Sequence, residues 1–329
     1  ASGVALPPTS GADQAKILGT LQDLQASGST NGAEGIQLAY QLAEKQFKKG
    51  GINRVVLATD GDFNVGVTSE GDLERLIEEK RKSGVFLTVL GFGEGNTKDS
   101  TMETLADKGN GNYAYVDSLA EARKVLVHEA GATLVTVAQD VKLQLEFNPT
   151  RVKSYRLVGY ENRVLADQDF NDDTKDAGEM GAGHHVTAFY EIVPTTEKGT
   201  TALATAPATP GTPPVDPLKY QTERVPSAAS ASGDLVTVKI RYKAPGGQKS
   251  LLFSRIVADR VMPLASTSDS LRFGAAVAEY ALSLRGAPGF GADKLTFAHS
   301  LAQGAVGADP RGERREFLGL MDRAARLPN

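Results

Sequence analysis

Two short stretches carry the residues best suited to chemistry: Gly28-Ser29-Thr30-Asn31 and Ala58-Thr59-Asp60-Gly61. Asp60 follows Val55-Val56-Leu57-Ala58, a continuous apolar run that reads as a parallel strand buried on both faces. A carboxylate there stands at the C-terminal end of the strand, where open α/β sheets place their ligands. Thr30 lies just before a helix N-terminus, so its hydroxyl can face the same crevice. A hydroxyl and a carboxylate are hard oxygen donors, suited to octahedral Mg2+ or Mn2+. The same spacing also fits a helix N-cap at Thr30 or its neighbour and a turn residue at Asp60. On spacing alone both readings stay open.

Weaker signals have plainer readings. Gly91-Phe92-Gly93-Glu94-Gly95-Asn96 follows a strand but lacks the last glycine of a dinucleotide loop, and there is no Walker A sequence. It reads as a turn. His184 and His185 are adjacent, so on a strand they point to opposite faces and form a surface pair. His128 and His299 read as isolated helix-surface residues. Asp169, Asp172, Asp173 and Asp176 lack the spacing of a calcium loop, and Glu179 does not complete it. They read as a solvated loop. No Gly-x-Ser-x-Gly elbow is present.

The elements that must position Thr30 and Asp60 alternate. Helical spacing marks about 12–24, with Ile17, Leu18 and Leu21 as its stripe, and the segment with Ile36, Tyr40, Ala43 and Phe47. After the strand at Val55–Ala58 come a helix (69–81), a strand (85–90), a helix (99–107), a strand (113–116) and a helix (119–129). That order predicts a doubly wound parallel sheet. Near Val135 the pattern changes to alternation: Val141, Leu143, Leu145, Phe147, then Val186 to Ile192, then Val236 to Tyr242. These are half-buried antiparallel strands. From Thr267 the pattern is helical, with Leu271, Phe273, Val277, Tyr280 and Leu284 as one stripe, and two more helices over 295–301 and 313–327. The fold class is therefore α/β: a doubly wound domain over 1–133, a β-rich accessory domain over 134–266 with mobile loops near 168–184 and 195–217, and a C-terminal helical segment over 267–329.

Composition excludes several classes. With 329 residues and a net charge of −4, the chain lacks the basic face of a nucleic-acid binder. No apolar run reaches the roughly 18 residues that span a bilayer. The absence of cysteine excludes disulfides and thiolate metal sites.

Thr59-Asp60-Gly61-Asp62-Phe63-Asn64, the upstream Ser29-Thr30-Asn31 and the downstream Gly91-Phe92-Gly93, Leu105-Ala106 and Gly111-Asn112-Tyr113 resemble a von Willebrand factor A (VWA) domain. More narrowly, Thr30 to Val137 resembles the bacterial YfbK-like VWA proteins, in which the VWA domain precedes a C-terminal domain of unknown function. The later alternating strands and Leu271-Arg272-Phe273 are similar to that domain. The resemblance implies a metal-ion-dependent adhesion site built from three loops: Asp-x-Ser-x-Ser, a threonine and an aspartate. By motif position Thr30 is the second-loop ligand and Asp60 the third. A protein partner then supplies a carboxylate to the open coordination position.

Asp-x-Ser-x-Ser occurs nowhere before Thr30; Ser266-Thr267-Ser268-Asp269-Ser270 has the hydroxyls with its aspartate out of place. By resemblance, Val4-Ala5-Leu6 is the third strand, and the first strand, first helix and second strand precede residue 1. The expectation is an unpaired edge at Val55–Ala58, a poorly folded first half when the chain is expressed alone, and weak Mg2+ binding. The function expected is a non-catalytic, metal-dependent binding or adhesion-type module of the bacterial envelope, periplasmic or lipoprotein-anchored by resemblance. The rivals are an assembly scaffold with no functional metal and a metal-dependent hydrolase. The hydrolase needs a general base near the metal, and Glu34 is the only nearby glutamate.

Overall fold

Ala33, Ile36 and Tyr40 recur at three- and four-residue spacing and fold as the inner face of a helix, α2 (Gly32–Lys45). They meet Val55 of β1 (Arg54–Thr59), Leu73 and Ile77 of α3 (Glu70–Lys80), Val85, Leu87 and Val89 in and beside β2 (Phe86–Gly91), and Met102, Leu105 and Ala106 of α4 (Asp99–Lys108) in one core. The computed structural model describes residues 3–25, 32–61, 70–93, 98–160, 164–195, 226–287 and 292–326. The chain divides into two compact units, each discontinuous in sequence. The first comprises 1–142, 171–184 and 241–252; the second comprises 143–170, 185–240 and 253–329.

In the first unit, β1, β2 and β3 (Tyr113–Tyr115) form a parallel sheet in that order. Arg54 pairs with Phe86 and Thr59 with Gly91, so the strand ends are level. β2 is central. Leu87 and Val89 are fully buried on one face, and Thr88 and Leu90 are buried on the other. Among the described residues β1 lies at the sheet edge and Val56 is 47% exposed, so the burial on both faces expected of Val55–Ala58 is not found there. Val4-Ala5-Leu6 forms no strand; Pro7 and Pro8 beside it cannot donate to a ladder. The helix α1 (Gln14–Asp23) forms where the spacing predicts, but Leu18 and Leu21 are each 57% exposed. Ile17 of the same stripe is half-buried.

Two details lock β2 to its neighbours. Gly111, just before β3, lies against the Leu87 carbonyl so closely that a Cβ would overlap its oxygen. Asn110 beside it has φ +53°, a left-handed conformation that asparagine tolerates. Tyr40 is fully buried, and its hydroxyl has no hydrogen-bond partner among the described residues. Tyr40→Phe therefore removes an unpaired buried hydroxyl. Stability should stay level or rise by about 1 kcal/mol. A loss of more than ~1 kcal/mol in urea titration would show that the hydroxyl has a stabilising role.

The helix expected over 119–129 is interrupted. α5 (Leu119–Arg123), capped by the Ser118 hydroxyl accepting from Glu121 N at 3.1 Å, runs into a π turn (Lys124–His128) and then α6 (Ala130–Leu134). The Thr133 hydroxyl donates to the Val125 carbonyl at 3.3 Å across that irregularity. The segment 168–184, expected as a mobile solvated loop, contains a 3-10 turn (Asp167–Asn171) and a strand, β6 (Gly178–Gly181), antiparallel to β4 (Thr136–Phe147). Its acids are engaged. Asp172 accepts from the Thr174 amide and hydroxyl, Asp173 from the Ser250 hydroxyl at 2.5 Å, and Asp176 pairs with Arg81 at 2.6 Å. Most of the second loop, expected at 195–217, lies outside the described residues.

In the second unit β5 (Val152–Val158) pairs antiparallel with β7 (Phe189–Pro194). Phe147 stacks on Tyr155 at 4.4 Å over Val152 and Val236. Two further strands are β8 (Asp234–Lys243) and β9 (Leu251–Ala258). Three helices follow: α7 (Asp269–Leu284), α8 (Ala292–Gln303) and α9 (Glu313–Ala324). Ser268 caps α7 by accepting from Leu271 N at 3.2 Å, which accounts for the serine-rich stretch there. The buried line of α7 runs through Phe273, Ala276 and Tyr280, while Leu271 and Leu284 of the expected stripe are 43% and 55% exposed. Small Ala276, Ala298 and Ala302 sit together in that core, and Phe317 meets Phe273 and Tyr280 edge-on. His299 is not isolated: its Nε2 lies 3.0 Å from Asp322.

Candidate metal crevice at the end of the parallel sheet

Asp60 is the first residue beyond β1, exposed at its C-terminal end. Local backbone contacts fix the turn. The Gly61 amide donates to Thr59 Oγ1 at 3.0 Å, the Phe92 amide to the Thr59 carbonyl at 2.9 Å, and the Lys98 amide to the Asp60 carbonyl at 3.3 Å. Gly61 has φ +81° and lies against Lys98 and Met102, where a side chain would be both strained and crowded. These constraints carry the Asp60 carboxylate out of the strand towards solvent.

The neighbouring strand end is shaped by packing. A Cβ on Gly91 would stand 2.8 Å from Tyr113 Oη and 2.9 Å from Met102 Cε, so the glycine makes room for an aromatic ring. Of the stretch read as a turn, Gly91 ends β2, and residues 94–96 lie outside the described residues. The Tyr113 hydroxyl donates to the Asp99 carboxylate, and the Tyr115 hydroxyl to the Gly93 carbonyl. Partial burial, and then the bond to Asp99, raise the ionisation of Tyr113 above its ordinary value, so it stays a neutral donor. Asp99 is thereby engaged by Tyr113, while Asp60 is exposed at the strand end.

Thr30, the other nominated ligand, lies outside the described residues, as do Ser29, Asn31, Asp62 and Asn64. Glu34 is on the exposed side of α2. An exposed carboxylate on a rigid strand end fits a hard cation such as Mg2+ or Mn2+. One carboxylate is fewer than an octahedral ion needs, so the donor set is incomplete without Thr30 and further oxygens. A shallow cleft between α3 and α4, lined by Glu74, Ser100, Thr101, Thr104 and Leu105, holds one acid and no base.

Sequence reasoning missed a second acidic group. Oxygens of Asp140, Asp176 and Glu179 lie within 4.8 Å of one another. It is assembled from β4 and β6 and the residues before it, and no local spacing announces it. Neither His184 nor His185 belongs to it.

Residues 4–127 match the family described as von Willebrand factor type A domain, and the parallel sheet of this part is in keeping with a VWA-like α/β domain. Residues 132–327 match the family described as "Uncharacterized protein YfbK, C-terminal". The chain belongs to that YfbK C-terminal family, and in this chain the VWA match precedes it. It is 42% identical over 327 residues to the uncharacterized protein YfbK of Escherichia coli K12. That match covers 98% of this chain and 53% of the relative, so the chain spans about half the length of the curated relative it matches. Among solved structures, a von Willebrand factor type A protein from Catenulispora acidiphila aligns with 93% of this chain and 67% of its own at TM-score 0.41 and 16% identity. The conserved hypothetical protein BatB from Bacteroides thetaiotaomicron aligns with 38% and 71% at TM-score 0.31 and 21% identity.

Proposed function

We propose that this chain is a metal-dependent protein-binding module of the bacterial cell envelope and has no catalytic role. Its VWA domain belongs to a protein-interaction class. The observation that carries the metal reading is Asp60, exposed at the end of a parallel strand and held there by Thr59, Lys98 and Gly61. Asp60 and Thr30, with oxygens from elsewhere in the full-length protein, would hold Mg2+ or Mn2+. The ion, when bound, supplies an electrophilic position for a partner carboxylate. The residues of the chain supply orientation: Gly61 and the Lys98 amide keep the Asp60 backbone from turning inward. No helix among the described residues is long and apolar enough to cross a membrane, so the envelope reading calls for a tether or export route outside them.

The test uses the full-length protein. Excess Mg2+ should raise its melting temperature, because an ion bound to the native state alone stabilises it by mass action. Asp60→Ala should remove that shift, whereas Asp322→Ala, on the last helix, should leave it intact. An equal Mg2+ shift in wild type and Asp60→Ala would refute the reading.

A second reading, an assembly scaffold with an incidental metal, is favoured by β9. Every residue of that strand is exposed, including Phe253 at 52% and Ile256 at 59%. Such a surface is an interaction site in its own right. It predicts that a chelator leaves a bound partner in place.

A further inference from the structure

The end of the parallel sheet away from Asp60 holds a denser set of charges that metal binding does not use. Arg54 opens β1 there. Its guanidinium donates to Thr88 Oγ1 at 2.6 Å and to Thr136 Oγ1 at 3.2 Å, while its Nε has no partner among the described residues. Facing it is Glu179 of β6, whose Oε1 is enclosed and likewise without a partner.

The backbone is bent to bring acids together here. The β4–β6 register shifts between Ala138 and Val141, and Asp140 within that irregularity has φ +50°. Bulges of this kind re-aim a side chain, and aspartate tolerates the left-handed conformation. Asp140 accepts from the Ala177 amide at 3.2 Å and pairs with Lys243 of β8 at 2.6 Å. Asp176 pairs with Arg81 at 2.6 Å, and Arg81 also donates to Asn110 at 2.7 Å. Asp140 and Asp176 therefore already have cations, and Arg54 stands near Glu179. The arrangement leaves no surplus of negative charge for a metal ion.

Glu179 has the other option open to a buried acid, which is to keep its proton. Burial, with Asp176, Asp140 and Asp107 acting in the same direction and Arg81 against it, pushes its carboxyl up to about 8. We propose that Glu179 is a protonation latch. With its carboxyl neutral, the 176–181 segment stays closed on the end of the parallel sheet; ionised, Glu179 loosens that segment. Ionisation would place a third negative charge within 4.8 Å of two others, on an oxygen shut away from water.

The direction follows from linkage. The closed form binds the proton more tightly than the opened form, in which the carboxyl returns to its ordinary value near 4.5. Latching is complete below that value and is lost as pH rises towards about 8. Between the two, opening becomes about tenfold more favourable per pH unit. Other charged and titratable groups facing this end are Tyr40 on α2, Arg54 on β1, Arg81 after α3, Asp107 on α4, Asp140 on β4, Asp176 before β6 and Lys243 on β8. Burial raises Tyr40 and lowers Arg54 from their ordinary values, and it pushes Glu179 up to about 8.

Hydrogen exchange of the β6 amides, corrected for intrinsic rates, tests this in wild type and Glu179→Gln. Gln keeps the shape and neutrality of the protonated acid. From about pH 5.5 to about 7.5 the wild-type opening constant should rise roughly a hundredfold, and that of the variant should stay flat. A flat wild type, or an equal rise in the variant, overturns the latch. Carbon-13 carboxyl titration of the wild-type glutamates gives an independent reading if the variant fails to fold. One glutamate titrating near 8 supports the proposal, and all of them titrating below about 6 overturns it.

Discussion

Gly111→Ala should abolish the cooperative urea transition of the first unit, or lower its stability by about 4 kcal/mol or more. The added methyl would overlap the Leu87 carbonyl oxygen, and Leu87 is fully buried in the middle of β2. Neither side can give way cheaply. The Gly111 amide is tied to the Ala106 carbonyl at 3.0 Å, and the Val89 amide to Asn112 at 3.0 Å, so the clash must move β2 relative to β3 or break those bonds. Gly35→Ala is the matched control: a Cβ there meets nothing within 4 Å. At this half-buried helical position, with open space at the Cβ, it should be neutral or stabilising by up to about 1 kcal/mol. If the Gly111 variant melts like wild type, the packing of the 109–111 turn on β2 is wrong.

Arg54→Ala should cost about 3–5 kcal/mol and lower the melting temperature by roughly 10 °C. The side chain holds two hydroxyls from different elements: Thr88, 1% exposed on β2, and Thr136, at the start of β4. It also lies 5.7 Å from the centre of the Phe86 ring. Truncation leaves both hydroxyls without this donor and removes the cation beside Glu179. Arg54→Lys should recover less than half of the loss, since a single ammonium lacks the planar fork that reaches both threonines. A cost below about 1 kcal/mol for Arg54→Ala would mean that water replaces the guanidinium at this end of the sheet.

How far the sequence discloses this molecule depends on the range of each signal. The stripe of Ala33, Ile36 and Tyr40 and the apolar run at 55–58 are local patterns, and they mark elements that form where expected. Whether a strand is central or at an edge is not local: among the described residues β2 has a neighbour on each side and β1 on one. β6 escapes notice because Gly178-Glu179-Met180-Gly181 lacks β-branched residues, and its strand conformation comes from pairing with β4 about 40 positions earlier. The five acids of 169–179 look solvated by composition, whereas their partners Arg81 and Ser250 lie roughly 70 to 95 residues away. Asp60 is legible because a carboxylate at the end of an apolar strand is a short-range pattern. Glu179 is not, because its setting depends on the register shift that turns Asp140 inward.

The measurement that bears most directly on the functional claim is Mn2+ titration of the full-length protein followed by electron paramagnetic resonance, comparing wild type with Asp60→Ala. If Asp60 is a ligand at the sheet end, wild type removes Mn2+ from the free pool at one site per chain. Asp60→Ala should then bind at least tenfold more weakly, and excess Mg2+ should release the ion from wild type. Identical Mn2+ uptake by the two proteins would contradict the account and leave binding through the exposed β9 strand as the function to pursue.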